Sequence, residues 1–561
     1  MSQPSLSEQP MPTSPMLNMS DALQKGAAEF PSRDAVVFLK GQVWQHTTYA
    51  ELEERVRNLS AGLRAEGVRA GQRCAVFVRP TADLLVVVYA LFRLGAVPVV
   101  ADPGMGRKRL LAALNDIEPE VFIGVPKAHA ARKIFPLAFR HVKLAVTVGP
   151  RLFWGGKTLA QVERKGARES ETVCSATLAT DTAAILFTSG STGAPKGVVY
   201  SHGMFQAQVD ALNELYAFEP GEINLAGLPL FALFDVAFGM TSVFPPLDPS
   251  HPGDCDPEQI FKTIEELGIT TAFGSPAIWR RVVPWCVDQG YKLAGLRRVL
   301  VAGAPVPIDL IGEFHKVLNM QADVFTPYGA TEALPLSSIG GRDVVPGLVE
   351  RVNSGEGTCV GLPIPMQRVV LIPVTDDPIA SWSADLILEP GQLGEVCVQG
   401  PSVTAEYYNN PEATRRAKIA DPDGGFWHRM GDAGRFDEEG RLWFHGRLAQ
   451  RLETPSGTRF PVPVENVFNT HEYVYRTALV GVGAPGEEQP VLVVEPLPGK
   501  MPKSKVMRDG FAMQLKTIGK RHGITADIDS FLFHESFPVD VRHNAKIHRN
   551  ELKLWATEQL A

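Results

Sequence analysis

A loop rich in small hydroxyl residues is the stretch of this sequence best suited to chemistry. It reads Thr188-Ser189-Gly190-Ser191-Thr192-Gly193, and Lys196 follows closely. Glycines allow the backbone to take positive φ, so such a loop can point several N–H groups and hydroxyls at one phosphate. A lysine on a flexible stem adds a positive charge that can follow a reacting polyphosphate. The sequence therefore predicts a phosphate-binding loop.

This loop differs from the common P-loop. The pattern G-x-x-x-x-G-K-[ST], started at Gly190, requires glycine at 195 and serine or threonine at 197. The chain has Pro195 and Gly197 instead. A flexible turn with a solvated lysine is the alternative interpretation. The apolar runs Ala184–Phe187 and Val198–Tyr200 on either side favour a strand–loop–strand unit.

The stretch T-S-G-S-T-G-x-P-K-G resembles the phosphate-binding signature of the adenylate-forming superfamily. That superfamily contains acyl-CoA synthetases, peptide-synthetase adenylation domains and firefly luciferase. The resemblance implies an α/β fold with a large multi-sheet N-terminal domain, residues 21–446, and a small mobile α+β C-terminal domain, residues 447–561. Residues 1–20, rich in Ser, Pro and Met, are predicted to be a disordered leader.

Further motifs follow in the superfamily's order and imply a site for ATP and Mg²⁺. By resemblance, the segment Gly303-Ala304-Pro305 lies against adenine. In Tyr328-Gly329-Ala330-Thr331-Glu332, the tyrosine stacks on adenine, the threonine contacts the α-phosphate and the glutamate ligates Mg²⁺. This assignment agrees with the chemistry of Mg²⁺, which takes a carboxylate together with phosphate oxygens. A helix-capping role for Thr331 and Glu332 is the plainer alternative.

The later motifs complete this site. Asp432, in Trp427-His428-Arg429-Met430-Gly431-Asp432, is expected to accept hydrogen bonds from the ribose hydroxyls. Arg447 is a further predicted nucleotide-binding residue, and it marks the predicted domain boundary. Lys546, in the segment 540–552, matches the lysine that enters the site for adenylation in the superfamily. Lys546, Glu332 and Lys196 are the predicted catalytic residues.

Two apolar segments are predicted to line an acyl pocket, although a plain core role is an equally open interpretation of the first. The first segment follows Pro229, and the second spans residues 271–279. The predicted pocket residues are Phe231, Ala232, Phe234, Phe273, Gly274, Ser275 and Trp279.

Several residues depart from the superfamily pattern. These departures concern the second half-reaction, in which the acyl-AMP is consumed. The hinge position carries Ala449, and Leu452-Glu453 replaces the usual Ile-Lys. These departures, the segment PLFALFD and the ending DVRHNAKI look most like the β-lactone synthetases of bacterial long-chain olefin biosynthesis. That resemblance implies activation of a long-chain 2-alkyl-3-hydroxy acid, whose 3-hydroxyl then attacks the activated carbonyl. His202 and His543 are candidate bases only because they lie near motif positions.

Two alternatives stay open at this point. One is an ordinary long-chain fatty acyl-CoA ligase, which would consume CoA. The other is a non-catalytic scaffold subunit that binds nucleotide or acyl groups. A long-chain β-hydroxy acid is the expected substrate, and other enzymes of the same lipid pathway are candidate partners.

Bulk properties exclude several other classes. The 561 residues carry a net charge of −7, so the overall charge does not indicate a nucleic-acid-binding protein. Six scattered cysteines predict neither a disulfide framework nor a zinc site, and indicate a cytoplasmic protein. The most apolar stretch, Leu84–Val100, is interrupted by charge, glycine and proline and is too short to span a membrane.

The elements that must position the site are also visible in the sequence. Thr48 and Glu51 form a predicted capping box at the start of a helix. Cys74–Val78 and Ala96–Val100 are predicted strands, and Asp83–Leu94 between them is a predicted helix. This alternation is typical of a layered α/β domain.

Overall fold

The structure is a computed structural model that describes residues 17–101, 105–169, 173–188, 195–539 and 546–561. The helices in these residues are α1 (Asp21–Glu29), α2 (Tyr49–Ala65), α3 (Ala82–Arg93), α4 (Arg107–Ile117), α5 (Pro126–Ile134), α6 (Leu159–Gly166), α7 (His202–Tyr216), α8 (Ala232–Ala237), α9 (Pro257–Glu266), α10 (Pro276–Gln289), α11 (Ile308–Val317), α12 (Gly341–Gly347), α13 (Val349–Asn353), α14 (Pro411–Ala417), α15 (Pro461–Phe468), α16 (Lys505–Gly519) and α17 (Arg549–Leu560). The strands are β1 (Asp34–Lys40), β2 (Val43–Thr48), β3 (Arg73–Phe77), β4 (Val97–Ala101), β5 (Val121–Gly124), β6 (Leu144–Thr147), β7 (Lys157–Thr158), β8 (Thr182–Thr188), β9 (Lys196–Ser201), β10 (Ile223–Ala226), β11 (Thr241–Phe244), β12 (Thr271–Gly274), β13 (Arg298–Val301), β14 (Asp323–Phe325), β15 (Tyr328–Ala330), β16 (Ala333–Ser338), β17 (Thr358–Pro363), β18 (Arg368–Ile372), β19 (Gly394–Gln399), β20 (Lys418–Ala420), β21 (Phe426–Phe436), β22 (Leu442–Arg447), β23 (Leu452–Thr454), β24 (Gly457–Arg459), β25 (Val474–Val482), β26 (Gln489–Pro496) and β27 (Ser530–Phe533).

Two sheets of mainly parallel strands form the scaffold, each with seven strands among the described residues. One has the order β14-β13-β12-β10-β11-β1-β2, and the other has the order β7-β6-β5-β3-β4-β8-β9. In each sheet only the last pair, β1–β2 or β8–β9, is antiparallel. Parallel strands place their carboxyl ends at one edge, so the loops that follow them gather there.

Helix α3 lies between these two sheets. Every residue of α3 except Asp83 is buried, and the helix contacts β4 of one sheet and β1 of the other. The one strongly polar side chain at its end, Arg93, is paired through both guanidinium nitrogens with Glu53, at 2.8 and 2.7 Å. A helix that is apolar on all sides requires cover on all sides, which the two sheets and α2 supply.

A third, antiparallel sheet completes the large part of the chain, and it carries much of the candidate site. Its order is β15-β16-β17-β22-β21-β19-β18, with β20 paired to β21. After Arg447 at the end of β22, the chain forms the hairpin β23–β24 and a separate three-stranded sheet β25-β26-β27. Helices α15 and α17 pack on β25.

The capping box is confirmed, because the Thr48 side chain accepts from the Glu51 N–H and the Glu51 carboxylate accepts from the Thr48 N–H. The predicted leader is corrected at its end. Leu17 donates its N–H to Thr177 O at 2.8 Å, and the Asn18 side chain donates to Phe92 O at 2.7 Å. Residues 18–20 are buried, so ordered packing begins before residue 21 because distant segments provide partners. Residues 1–16 lie outside the described residues.

In the described part of the chain, none of the helices has both the length and the apolar character needed to cross a bilayer.

Candidate active site

The predicted phosphate loop connects β8 to β9. The two strands form an antiparallel pair that ends at Thr188 opposite Lys196. The loop residues Ser189, Gly190, Ser191, Thr192 and Gly193 lie outside the described residues, so their predicted role stays a prediction. Lys196 is half-buried at the start of β9 and faces the central cleft. Its Nζ lies 4.8 Å from the centre of the Tyr407 ring.

Tyr407 links this lysine to the predicted metal ligand. The Tyr407 hydroxyl donates to Glu332 Oε1 at 2.9 Å. Its segment adds to β9 as a short extra strand, since Tyr408 N donates to Gly197 O at 2.7 Å. Burial, and next the Glu332 carboxylate, raise the pKa of the Tyr407 hydroxyl, so it stays a donor. Tyr407 was not predicted from the sequence.

Glu332 lies between β15 and β16, where its carboxylate faces the cleft. The backbone beside it is fixed because Tyr200 donates its hydroxyl to Thr331 O and Thr404 N donates to Glu332 O. No cluster of three or more His, Cys, Asp or Glu residues suited to a metal occurs among the described residues. One fixed carboxylate beside a lysine is a donor set that fits Mg²⁺ held mainly by phosphate oxygens.

The predicted nucleoside residues come together across the third sheet. The Tyr328 hydroxyl donates to Asp432 Oδ2 at 2.6 Å, and Arg447 Nε lies 3.1 Å from Asp432 Oδ1. Asp432 and Arg447 are direct partners in the β21–β22 pairing. Gly303, Ala304 and Pro305 follow β13 and line the same cleft, as do Gly329, Ala330 and Thr331.

The Asp432 carboxylate is left with one buried acceptor. Among the described residues, Oδ1 has no aligned hydrogen-bond donor, because the Arg447 contact is poorly directed. Burial raises the pKa of the Asp432 carboxyl, although Arg447 and the Tyr328 hydroxyl oppose the shift. A buried acceptor without a donor is costly unless a ligand supplies one. The hydroxyls of a ribose are donors of this kind.

A second group of titratable side chains lies beside Glu332. Lys418 donates from Nζ to Thr404 O, and its strand partner is His428. Burial lowers the pKa of Lys418 to about 7, although the nearby Glu332 carboxylate opposes the shift. Sequence reasoning assigned nothing to Lys418.

His428 faces the cleft from β21. Its Nδ1 lies 3.1 Å from Ala417 O, a contact that places the proton on Nδ1 and leaves the lone pair on Nε2. Burial lowers the pKa of His428 well below its ordinary value, and the nearby Lys418, Arg447 and Lys196 lower it further. The imidazole is therefore neutral. Its place within a W-x-x-x-G-D pattern was visible in the sequence, but no spacing rule distinguishes it.

The candidate base His202 does not line the cleft. It is buried at the start of α7, where Nδ1 accepts from Met19 N at 3.2 Å and its ring packs edge-on against Phe92. Burial lowers the pKa of His202 to about 4. This histidine is a core residue, and the hypothesis that it acts as the base is corrected. His543 lies outside the described residues.

An aromatic wall lines the cleft beside the nucleotide residues. Phe231 and Phe273 have ring centres 4.0 Å apart, and Phe234 lies 5.7 Å from Phe231. All three side chains line the cleft, as do Leu228 and Leu233. Three of the seven predicted pocket residues thus line the cleft, and their role in binding an acyl chain stays a prediction.

The other four do not line the cleft. Ala232 is fully buried beneath the wall, and Gly274 and Ser275 lie behind it. Trp279 packs on Phe314 in a different core cluster, at 5.4 Å between ring centres. The reason is the helical period of α10, which turns Ala277 and Arg280 to the cleft and Trp279 away from it. The prediction that Trp279 lines the pocket is wrong.

Lys546 enters the same cleft from the C-terminal part of the chain, just before α17. Arg549 at the start of α17 pairs with the Glu465 carboxylate on α15, with Nη2 2.8 Å from Oε2. Residues of both parts line a single cavity of about 3440 Å³. At the predicted hinge position, Ala449 is exposed, and nearby Arg451 forms ion pairs with Asp376 and Glu453.

The chain is similar to known proteins in both sequence and structure. The family profile described as AMP-binding enzyme matches residues 23–408. A protein of Xanthomonas campestris pv. campestris named Olefin beta-lactone synthetase is 44% identical over 519 residues, which cover 91% of each chain. A protein of the same name from Stenotrophomonas maltophilia is 45% identical over 522 residues, again 91% of each chain.

Solved structures share the fold. An amide bond synthetase from Marinactinospora thermotolerans superimposes with a TM-score of 0.78 at 23% identity, covering 96% of this chain and 99% of that one. ATP-bound MatB from Rhodopseudomonas palustris gives a TM-score of 0.77 at 22% identity, with 97% and 100% covered. Because these likenesses extend over the large and small parts together, the predicted fold class is confirmed.

Proposed function

Since the chain belongs to the family of AMP-binding enzymes, we propose that it is an ATP-dependent adenylate-forming ligase that makes a β-lactone. Its substrate is a long-chain 2-alkyl-3-hydroxy acid, which it first converts to an acyl-AMP. The observation that carries this proposal is the 44–45% identity, over 91% of the chain, to the two olefin β-lactone synthetases. One cleft with a nucleotide end and an aromatic wall supports it.

The first step joins the acid to AMP. A carboxylate oxygen of the acid attacks the α-phosphorus of ATP, and pyrophosphate leaves. Lys196 and Lys546 offset negative charge on the phosphates, while Asp432 and Tyr328 hold the nucleoside. Glu332, fixed by Tyr407, would hold Mg²⁺, which when bound supplies further positive charge to the phosphates. Catalysis here consists of positioning and charge neutralisation.

The second step closes a four-membered ring. The 3-hydroxyl oxygen of the acyl group attacks its own carbonyl carbon, and AMP leaves with the electrons of the acyl–phosphate bond. His428 is the residue that takes the hydroxyl proton, on Nε2, because it faces the cleft in neutral form. The nucleophile is tethered to the carbonyl it attacks, so its effective concentration is high without a second substrate.

Transfer to CoA is not part of this proposal. The side chain of the hinge residue Ala449 has no polar group. In the turn after β23, Thr454 Oγ1 donates a hydrogen bond to Gly457 O at 2.7 Å.

A non-catalytic scaffold is disfavoured because Lys196, Glu332, Asp432 and Lys546 all face the same cleft. In this proposal residues 21–446 are the adenylation domain and 447–561 are the mobile domain. A cytoplasmic location is also proposed, since all six cysteines are free.

The test is product analysis with purified protein, ATP, Mg²⁺ and a long-chain 2-alkyl-3-hydroxy acid, with and without CoA. We expect a β-lactone, seen by proton NMR, and one AMP released per lactone, at rates that CoA does not change. AMP release that requires CoA and yields a thioester would replace the proposal with an acyl-CoA ligase. A folded protein that releases no pyrophosphate would favour the scaffold.

A further inference from the structure

One edge of the second sheet carries an unusual concentration of positive charge. The segment 121–162 contains no aspartate or glutamate, although the whole chain has a net charge of −7. The same segment holds seven lysine and arginine residues: Lys127, Arg132, Lys133, Arg140, Lys143, Arg151 and Lys157. It forms β5, α5, β6 and β7 and the loop 148–156 between the last two strands.

Large apolar side chains on this segment are exposed to solvent. Ile134 and Leu137, at the end of α5 and just after it, are 68% and 77% exposed. Leu152 and Phe153, in the loop before β7, are 60% and 80% exposed. Isolated apolar residues on a surface are ordinary, but a group of them between cations is typical of an interaction surface.

The loop that carries the second exposed group packs against α5, the helix that leads to the first. Trp154 stacks on His129 of α5, with ring centres 5.7 Å apart and planes 11° from parallel. Arg132 donates from Nη2 to Trp154 O at 3.3 Å. The loop that carries Phe153 is thereby fixed against α5. We call the exposed surface of residues 127–157 the α5 surface.

Most cations of the α5 surface have no carboxylate partner. Lys127, Lys133, Lys143 and Arg151 form no ion pair with any described residue, and all four are exposed. Arg140 pairs with Glu118, and Lys157 lies 3.9 Å from Glu66, both at the margin. The field over this surface is therefore positive, and it would attract anionic groups within about a Debye length.

The α5 surface also adjoins the substrate cleft. Ala128, Ala131, Phe135 and Phe139, on the inner side of α5 and the turn after it, line the same cavity as the aromatic wall. An apolar molecule at this surface would therefore be next to an apolar part of the cavity.

We propose that the α5 surface docks the protein on an anionic lipid bilayer. The four exposed apolar side chains enter the interface, and the unpaired cations bind the lipid phosphates. Neither the apolar side chains nor the cations alone give stable membrane binding, but the two together do. Each lysine or arginine near an anionic membrane strengthens binding several-fold. That the docked surface also receives the long-chain acid rests on the proposed function, whereas bilayer binding does not.

The test is cosedimentation with vesicles of phosphatidylcholine alone and with added phosphatidylglycerol. We expect binding only when phosphatidylglycerol is present, weakening as salt is raised. The variants Lys133→Glu with Arg151→Glu, and Leu152→Ser with Phe153→Ser, are each expected to lower the vesicle partition coefficient at least ~10-fold. Release of pyrophosphate with a short water-soluble hydroxy acid should not change, which separates this proposal from the proposed function.

A matched control lies on α16, where Val506 and Met507 are 81% and 53% exposed beside Lys503 and Lys505. The variant Lys503→Glu with Val506→Ser should bind vesicles as the wild type does. Equal losses in this control, or no binding to either vesicle, would overturn the proposal. Binding that appears only after a second protein is added would also overturn it and would assign the α5 surface to a protein partner.

Discussion

Replacing His428 by asparagine is expected to stop ring closure while acyl-AMP formation continues. The asparagine side-chain N–H₂ can occupy the place of Nδ1, which lies 3.1 Å from Ala417 O. The variant therefore keeps the donor that this carbonyl needs. It loses the basic ring nitrogen Nε2, so it has no nitrogen that can accept the proton of the 3-hydroxyl.

The expected changes in rate and in stability follow from the loss of Nε2 and the retention of the bond to Ala417 O. A positioned general base contributes about 10²–10⁴-fold to a rate, which equals about 2.7–5.4 kcal/mol of activation free energy at about 1.36 kcal/mol per decade. Because the bond to Ala417 O is kept, the free energy of unfolding should change by less than about 1 kcal/mol. His428→Leu, which leaves that carbonyl without a donor, should cost about 1–3 kcal/mol of stability. Chemistry and folding are thus separated by two variants at one position.

The assay is a single-turnover experiment that follows pyrophosphate and β-lactone together. In His428→Asn, pyrophosphate should appear at the wild-type rate and acyl-AMP should accumulate, while lactone appears at least ~10²-fold more slowly. Urea unfolding of the same samples checks the stability change. The reasoning would be refuted by wild-type lactone formation in this variant. A parallel loss of pyrophosphate release would show instead that His428 supports the nucleotide site.

Four further outcomes are expected. Lys546→Ala should lower acyl-AMP formation at least ~10²-fold with an unchanged urea midpoint, and normal pyrophosphate exchange would remove this residue from the mechanism. Asp432→Asn should raise the KM for ATP about 10–100-fold, since a charge-assisted hydrogen bond contributes about 1.5–3 kcal/mol; an unchanged KM would place the ribose elsewhere. Trp279→Ala should cost about 3–5 kcal/mol of stability with little change in the chain-length preference, whereas Phe231→Ala should alter that preference at a smaller stability cost; the reverse pattern would exchange their roles. Acid should destabilise the fold through His202, because its folded pKa of about 4 lies below the unfolded value of 6.5. The unfolded chain binds the proton first, so stability is full above about pH 6.5 and falls by about 3 kcal/mol toward pH 4 at about 1.36 kcal/mol per unit; His202→Gln should flatten that slope in urea titrations.

The elements around the phosphate loop could be predicted because their signals are local. Two apolar runs around a glycine-rich loop predict the β8–β9 pair. Thr48 and Glu51 alone predict the cap of α2. Residues 17–20 could not be predicted in the same way, since their partners Phe92 and Thr177 lie far along the chain. A segment without periodicity is predicted to be disordered unless such long-range partners are known.

In the candidate site too, residues within motifs could be predicted, whereas those that depend on contacts remote in sequence could not. Tyr328, Asp432 and Arg447 could be named from motifs, and the structure brings them into contact. Tyr407 was missed because its role depends on a contact with Glu332, which is remote in sequence. Trp279 was misplaced because a motif fixes which residues follow one another but not which side of α10 faces the cleft.

The short strand around Tyr407 limits where the chain can be truncated. β9 is the outermost strand of its sheet, and the segment 406–408 covers its open edge with backbone hydrogen bonds. A fragment that stops before residue 404 would expose that edge, and an uncovered apolar edge strand pairs readily with another copy. Such a fragment should aggregate even if both seven-stranded sheets form, so a soluble truncation must extend past Tyr408.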